Sequence, residues 1–335
     1  MKTAAAFAVP ALLAFTGLAQ AQATGYGPEL QGFEYPHQIQ RFALTSQRQD
    51  LSMSFMDVEP TAQANGKTVL LLHGKNFCGA TWEGTIKTLT AAGYRVIAPD
   101  QIGFCASSKP VGYQFSFAQL AANTHALLGS LGVEKPIVIG HSMGGMLATR
   151  YALQYADAVE KLVLVSPLGL EDWQAKGVPY ATVDDMHKGE LKTNAESMKA
   201  YQLKFYYDGK WKPEYDRWID MQAGLYAGQG REAVTWNQAQ TSEMVFTQPV
   251  VHEFPAIKVP TVLMIGGKDR TAPGANRAPA ELQKQLGDYP ALGRKAAEAI
   301  PGATLVDFPE LGHSPQVEAP EKFHEALLRE LAKAG

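Results

Sequence analysis

The sequence predicts an α/β protein: a mostly parallel, eight-stranded sheet flanked by helices, with a mainly helical insertion. Three observations carry this expectation. Short apolar runs alternate with helix-like stretches from Ile39 to the C-terminus. The cores of most of these runs are apolar without a break, as in strands covered on both faces. The alternation stops between residues 168 and 255, where aromatic residues crowd together.

Taken in order, residues from about Gln22 to Pro36 are aperiodic and form an arm, ordered or loose. Ile39 to Leu44 and Leu51 to Asp57 read as an opening hairpin. Val69 to Leu72 is a short buried strand running into His73-Gly74. A helix from Thr81 to Ala92, a strand from Tyr94 to Pro99 and a helix from Phe117 to Leu131 follow. Ile137 to Gly140 is the next strand, Met143 to Tyr155 the next helix, and Leu162 to Val165 the next strand. After the insertion, Thr261 to Ile265 and Thr304 to Phe308 complete the strands, and Pro320 to Leu331 is the last helix. Pro279 to Ala299 reads as an extra helix without an assignable role.

The expected organisation is a leader at 1–21, a core from 22–167 and 256–335, and a cap at 168–255. The insertion carries Trp173, Trp211, Trp218 and Trp236, four of the chain's five tryptophans, so it has the rings to build its own core. Tyr180, Tyr201, Phe205, Tyr206, Tyr207, Tyr215 and Tyr226 add to that, and some rings remain to line the space beneath a cap.

Composition bounds the function. With 335 residues, 46% hydrophobic and 19% charged, the chain can bury a large core. The formal net charge of -3 and the lack of Lys/Arg runs give no reason to expect a nucleic-acid partner. Past the N-terminus no apolar run is long enough to span a membrane. Met1-Lys2, the uncharged Thr3 to Leu18 stretch and the small residues around Ala21 and Ala23 form a signal-peptide pattern. It implies export, to the periplasm or beyond. No P-loop, H-E-x-x-H or C-x-x-C occurs, so no cofactor or metal is expected.

The chemistry concentrates at Gly140-His141-Ser142-Met143-Gly144, a G-x-S-x-G pentapeptide between a strand and a helix. Side chains at Gly140 and Gly144 would collide in so tight a turn, and the serine hydroxyl would stand exposed above the sheet. A serine hydroxyl is a weak nucleophile at neutral pH. It needs a base, and the base needs an orienting carboxylate. Asp269, in Gly266-Gly267-Lys268-Asp269-Arg270, follows a buried strand. His313, in Leu311-Gly312-His313-Ser314-Pro315, follows the last strand. Glu171 and Asp172 are rival acids, whereas Asp307 lies within a strand.

These motifs together resemble the α/β-hydrolase superfamily, in its serine-nucleophile branch with a helical cap. His73-Gly74 and the segment Asp100-Gln101-Ile102-Gly103-Phe104-Cys105-Ala106-Ser107-Ser108-Lys109-Pro110 share in the likeness. The resemblance implies Ser142 as nucleophile, His313 as general base and acid, and Asp269 as its orienter. It implies an oxyanion hole from the backbone N–H groups of Met143 and Lys75, with Asn76 as neighbour. The Lys75 ammonium is either solvated or an attraction for an anionic substrate. His73 braces its loop, and His141 fills the variable elbow position. His37, His125, His187, His252 and His324 have no catalytic context.

Cys105 departs from the family pattern, which has glycine there. Cys78 and Cys105 are expected in loops at one sheet edge, where a disulfide would brace the mouth of the site. The implied activity is hydrolysis of an ester, thioester or lactone with an apolar portion. Carbon–carbon bond hydrolysis of the meta-cleavage type and amide hydrolysis use the same triad. A non-catalytic binding protein on this fold is the alternative of a different class.

Overall fold

The computed structural model describes residues 25–333. The expected leader lies outside them. Strands β1 (Ile39–Ser46) and β2 (Gln49–Val58) form the expected hairpin. Then come β3 (Thr68–Leu72), α1 (Glu83–Ala91), β4 (Arg95–Pro99), α2 (Phe117–Ser130), β5 (Ile137–His141), α3 (Met143–Gln154) and β6 (Lys161–Val165). Four helices follow: α4 (Val183–Glu190), α5 (Ala195–Phe205), α6 (Asp216–Ala227) and α7 (Arg231–Thr247). The chain then returns through β7 (Thr261–Gly266), α8 (Ala280–Gln283), α9 (Tyr289–Ala299), β8 (Thr304–Phe308), α10 (Pro315–Glu318) and α11 (Pro320–Ala332).

The strands form one eight-stranded sheet in the order β1-β2-β4-β3-β5-β6-β7-β8. β2 pairs antiparallel with β1 and β4, and every other pairing is parallel. The central strands are buried on both faces because successive side chains point to opposite sides. Leu70, Leu72, Val138 and Leu164 enter one core layer, while Val69, Leu71, Ile137 and Val165 enter the other. Each such side chain stabilises the fold by roughly 1.5–3 kcal/mol through removal from water. The edge strands β1 and β8 alternate or expose residues instead. Helix starts follow local capping: the Ser116 side chain accepts from Gln119 N before α2. Asn194 and Ser197 form a reciprocal box before α5.

Two sequence expectations are refined. The segment read as one helix from Thr81 opens as a 3-10 turn at Gly79–Trp82 before α1. The helix expected at 279–299 splits into α8 and α9, with Gly287 between them in a left-handed conformation at φ 69°. α9 is the crossover between the parallel strands β7 and β8, so it covers the sheet. From Gly25 onward the arm before β1 is ordered: Tyr26 N donates to Gly224 O (2.9 Å), and the Tyr35 hydroxyl to Asp100 Oδ2 (2.5 Å). Among the described residues no helix is long and apolar enough to cross a membrane.

Parallel pairing has one consequence for function. It brings the carboxyl ends of β3, β5, β7 and β8 to one edge, and these ends carry Gly74, Ser142, Asp269 and His313 respectively.

Candidate active site

Ser142 is the hinge between β5 and α3. Its backbone lies at φ 56°, ψ −120°, a conformation that L-residues rarely adopt. The surroundings force it. A Cβ at Gly140 would overlap the carbonyl oxygen of Gly144, and one at Gly144 would overlap that of Leu72. Glycine at both places lets α3 start directly against the strands, and the hydroxyl turns toward the last two strand ends.

There it meets a histidine and an acid. His313 Nε2 lies 2.8 Å from Ser142 Oγ, and His313 Nδ1 lies 2.6 Å from Asp269 Oδ2. The second oxygen of Asp269 accepts from Thr271 N at 2.8 Å, which fixes the carboxylate plane. Asp269 and His313 are wholly buried, and Ser142 nearly so. Gly267 N donates to Phe308 O (2.8 Å) and Lys268 N to Leu311 O (2.8 Å), so the acid and histidine loops are tied to each other. With Nδ1–H directed at the carboxylate, Nε2 is left to accept from the serine hydroxyl.

On the other side of Ser142 runs the loop after β3. His73 Nδ1 donates to Gly74 O (2.8 Å), and its Nε2 accepts from Gln101 N (3.1 Å). This assigns the tautomer, and burial holds the His73 pKa below its ordinary value, keeping it neutral. Among the described residues, the backbone N–H groups of Lys75 and Met143 have no protein acceptor, and Lys75 and Ser142 line one cavity. Two such donors at a helix start and an adjacent loop suit a developing oxyanion.

That cavity has a volume of about 420 Å³ and lies between the sheet edge and α4–α7. Leu168, Met186, Met198, Val245 and Phe246 give it an apolar portion. The aromatic residues divide as expected. Tyr207, Trp211 and Tyr215 pack together, with the two tyrosine rings stacked at 3.9 Å. Tyr201, Tyr206 and Tyr226 line the cavity, and the Tyr206 ring stands 4.8 Å from that of His313.

Residues 67–320 match the family described as alpha/beta hydrolase fold. The chain belongs to the α/β hydrolase family. A probable hydrolytic enzyme from Pseudomonas aeruginosa PAO1 has a crystal structure that superposes with a TM-score of 0.92 at 59% identity, covering 93% of this chain and 100% of that one. The AB hydrolase superfamily protein YisY of Bacillus subtilis is 28% identical over 78% of this chain and 91% of its own. The 2-hydroxy-6-oxononadienedioate/2-hydroxy-6-oxononatrienedioate hydrolase of Comamonas testosteroni is 26% identical over 80% of this chain and 88% of its own.

In this α/β hydrolase the rival acids are engaged elsewhere. Glu171 Oε1 accepts from Trp173 Nε1 (3.1 Å) and Gly287 N (2.9 Å), and its other oxygen pairs with Lys176. Asp172 pairs with His252 at 2.9 Å. Asp307 is exposed on β8. Cys78 and Cys105 are joined in a disulfide with Cα atoms 5.9 Å apart. Cys105 sits at φ 45°, which explains why glycine suits this position and why a cross-link helps hold a larger residue there.

Both sequence readings of the Lys75 side chain need correction. It is neither solvated nor free to attract an anion. Its side chain is 17% exposed and its Nζ lies 3.3 Å from Glu190 Oε1 and 2.9 Å from Gln238 Oε1. Sequence reasoning also missed what His141 does. Its Nε2 donates to the backbone carbonyl of His313 at 2.8 Å, and its ring stacks on Phe77.

Proposed function

We propose that this α/β hydrolase cleaves carboxylic esters, thioesters or lactones through an acyl-enzyme. One observation carries the reading: an unbroken, buried hydrogen-bond chain from Asp269 through His313 to Ser142, with steps of 2.6 and 2.8 Å. His313 Nε2 takes the proton as Ser142 Oγ attacks the carbonyl carbon. Asp269 holds the imidazole in register and stabilises its positive charge. The carbonyl oxygen, now an oxyanion, is received by the N–H groups of Met143 and Lys75. His313 then protonates the leaving alcohol or thiol. Water repeats the sequence in reverse, with His313 as base, and frees the acid.

The cavity supports a reading of the substrate class. At about 420 Å³ it suits a small or medium-sized molecule. Its apolar residues favour an acyl or alcohol portion of aliphatic or aromatic character. A second reading, carbon–carbon bond hydrolysis, uses the same three side chains. It is favoured by the likeness to the Comamonas testosteroni hydrolase.

A fluorophosphonate probe tests the chemistry. Labelling at Ser142 that vanishes in Ser142→Ala supports the reading, with ester turnover falling about 10⁴-fold or more. Absence of labelling in folded protein would assign a binding role instead. A panel of esters of rising acyl length, beside lactones, amides and ring-cleavage products, separates the two hydrolytic readings. We further infer that the protein is exported. The signal-peptide pattern supports this, and the disulfide fits an oxidising compartment. Cell fractionation with N-terminal sequencing tests it, and protein confined to the cytoplasm with its start at Met1 would refute it.

A further inference from the structure

We propose that the Lys75 side chain is a positioning group: it fastens the oxyanion loop to the cap, so that the cap sets where the Lys75 N–H stands. This rests on the serine-hydrolase reading above.

The loop is anchored from two directions. On the core side it is held by the His73 bond to Gly74 O, by Phe77 N donating to Gly74 O (3.1 Å), and by the disulfide at Cys78. On the cap side two consecutive residues reach across the cavity. Lys75 Nζ donates to Gln238 Oε1 in α7 (2.9 Å) and pairs with Glu190 Oε1 at the end of α4 (3.3 Å). The other Glu190 oxygen accepts from the Tyr226 hydroxyl in α6 at 2.6 Å. Asn76 Nδ2 donates to the Tyr206 hydroxyl just after α5 (3.0 Å), and its Oδ1 accepts from Gln222 Nε2 in α6 (3.3 Å). Every one of the four cap helices, or the turn that ends it, therefore contributes a partner to Lys75, to Asn76 or to the Glu190 that Lys75 grips.

The energetics favour a fixed tie over a loose surface pair. The Lys75 and Glu190 side chains are each 17% exposed, so neither is well solvated. Each needs the other, because removing one partner leaves a poorly hydrated charge. An oxyanion donor must stand about 2.7–3.1 Å from the developing charge, and small displacements weaken it steeply. The ammonium thus stabilises the transition state indirectly, through the main chain to which it belongs.

The test uses the full-length mature protein. Lys75→Met keeps the N–H and the apolar stem but removes the tie. Gln238→Leu removes one partner from the cap side. Both variants should lower kcat by about 10- to 100-fold, with KM held within about threefold. Affinity for a trifluoromethyl ketone, which forms a tetrahedral adduct, should fall by the same factor as kcat. The two effects should combine less than additively in the double variant. Unchanged kcat in both variants, or a rise in KM alone, would overturn the proposal.

If Lys75→Met does not fold, Gln238→Leu decides. A readout independent of turnover accompanies it, namely hydrogen exchange, measured by NMR, of the Phe77 amide, which closes this loop onto Gly74 O at 3.1 Å. Exchange quickened by about tenfold or more in Gln238→Leu supports the tie, and unchanged exchange sinks it. If the wild-type protein neither labels with fluorophosphonate nor hydrolyses esters, the serine-hydrolase reading fails, and the exchange measurement still decides whether the cap holds this loop.

Discussion

His141 donates its Nε2 proton to the backbone carbonyl of His313 across 2.8 Å, so the residue before Ser142 holds the main chain of His313. Burial and the neighbouring His313 keep the His141 pKa well below its ordinary value, so it remains a neutral, single-proton donor. Its ring is wedged between Phe77 and the His313 imidazole, at 5.6 and 5.0 Å. His141→Phe keeps a ring for this stack and deletes the donor. The orphaned, buried carbonyl should cost about 1–3 kcal/mol of stability. Because the carbonyl belongs to the proposed base, His313, kcat should fall by roughly tenfold with KM little changed. Thermal unfolding and steady-state kinetics on one ester check both, and an unaltered kcat would reduce His141 to a packing residue.

The contrast between His141 and Ser142 shows what the sequence could disclose. Ser142, Asp269 and His313 each sit in a short local pattern after an apolar run, so spacing and strand order are enough to bring them to one sheet edge. The partner of His141 is a main-chain oxygen 172 residues away, and no side-chain identity marks a carbonyl as an acceptor. Lys75 was equally opaque, since its partners Glu190 and Gln238 lie in helices whose order in the chain says nothing of their approach to β3. Cys105 was intermediate. Its departure from glycine flagged the position, and two cysteines at one sheet edge suggested the bond. The fold itself was legible because unbroken apolar runs leave few alternatives to strands covered on both faces.

Gly312 meets the cap directly. A Cβ there would overlap the carbonyl oxygen of Tyr206, and Gly312 N already donates to Glu318 Oε2 at 2.6 Å. Gly312→Ala must therefore lift the chain after α5 or push back the His313 loop. Overpacking of this kind typically costs about 1–3 kcal/mol. The Tyr206 ring rests near the His313 imidazole, so turnover should suffer more than stability alone predicts. Denaturant midpoints beside kcat/KM measure the two effects. A stability loss with intact kcat/KM would mean that the chain after α5 yields and the His313 loop does not.

The disulfide should act on stability. Cys78 and Cys105 close a loop with a sequence separation of 27, for which chain entropy gives about 3.5 kcal/mol. The double variant Cys78→Ala/Cys105→Ala should lose up to about that amount, and Cys105→Gly should recover part of it by relieving the left-handed backbone at φ 45°. Urea unfolding of the three proteins, in the absence of reductant, compares them. No gain from glycine at position 105 over alanine would show that this backbone conformation carries no strain.

His324 gives the pH dependence a specific source. It is buried on α11, with its Nε2 3.0 Å from Thr85 Oγ1 and its Nδ1 3.1 Å from Thr88 Oγ1 on α1. Burial pulls its pKa down to about 4, against 6.5 for the free side chain. In the unfolded chain it binds a proton below about pH 6.5, whereas in the folded protein it does not until about pH 4. The unfolded state therefore holds more protons between these values, and stability must fall as pH falls through that window. The contribution is complete above about pH 6.5 and amounts to on the order of 3 kcal/mol, lost by about pH 4. His324→Gln cannot titrate and retains polar contact with the two threonines. Melting temperatures of both proteins from pH 7 to pH 4 should converge as the wild-type advantage disappears. Parallel curves would place the acid sensitivity of this fold in groups other than the α1–α11 contact.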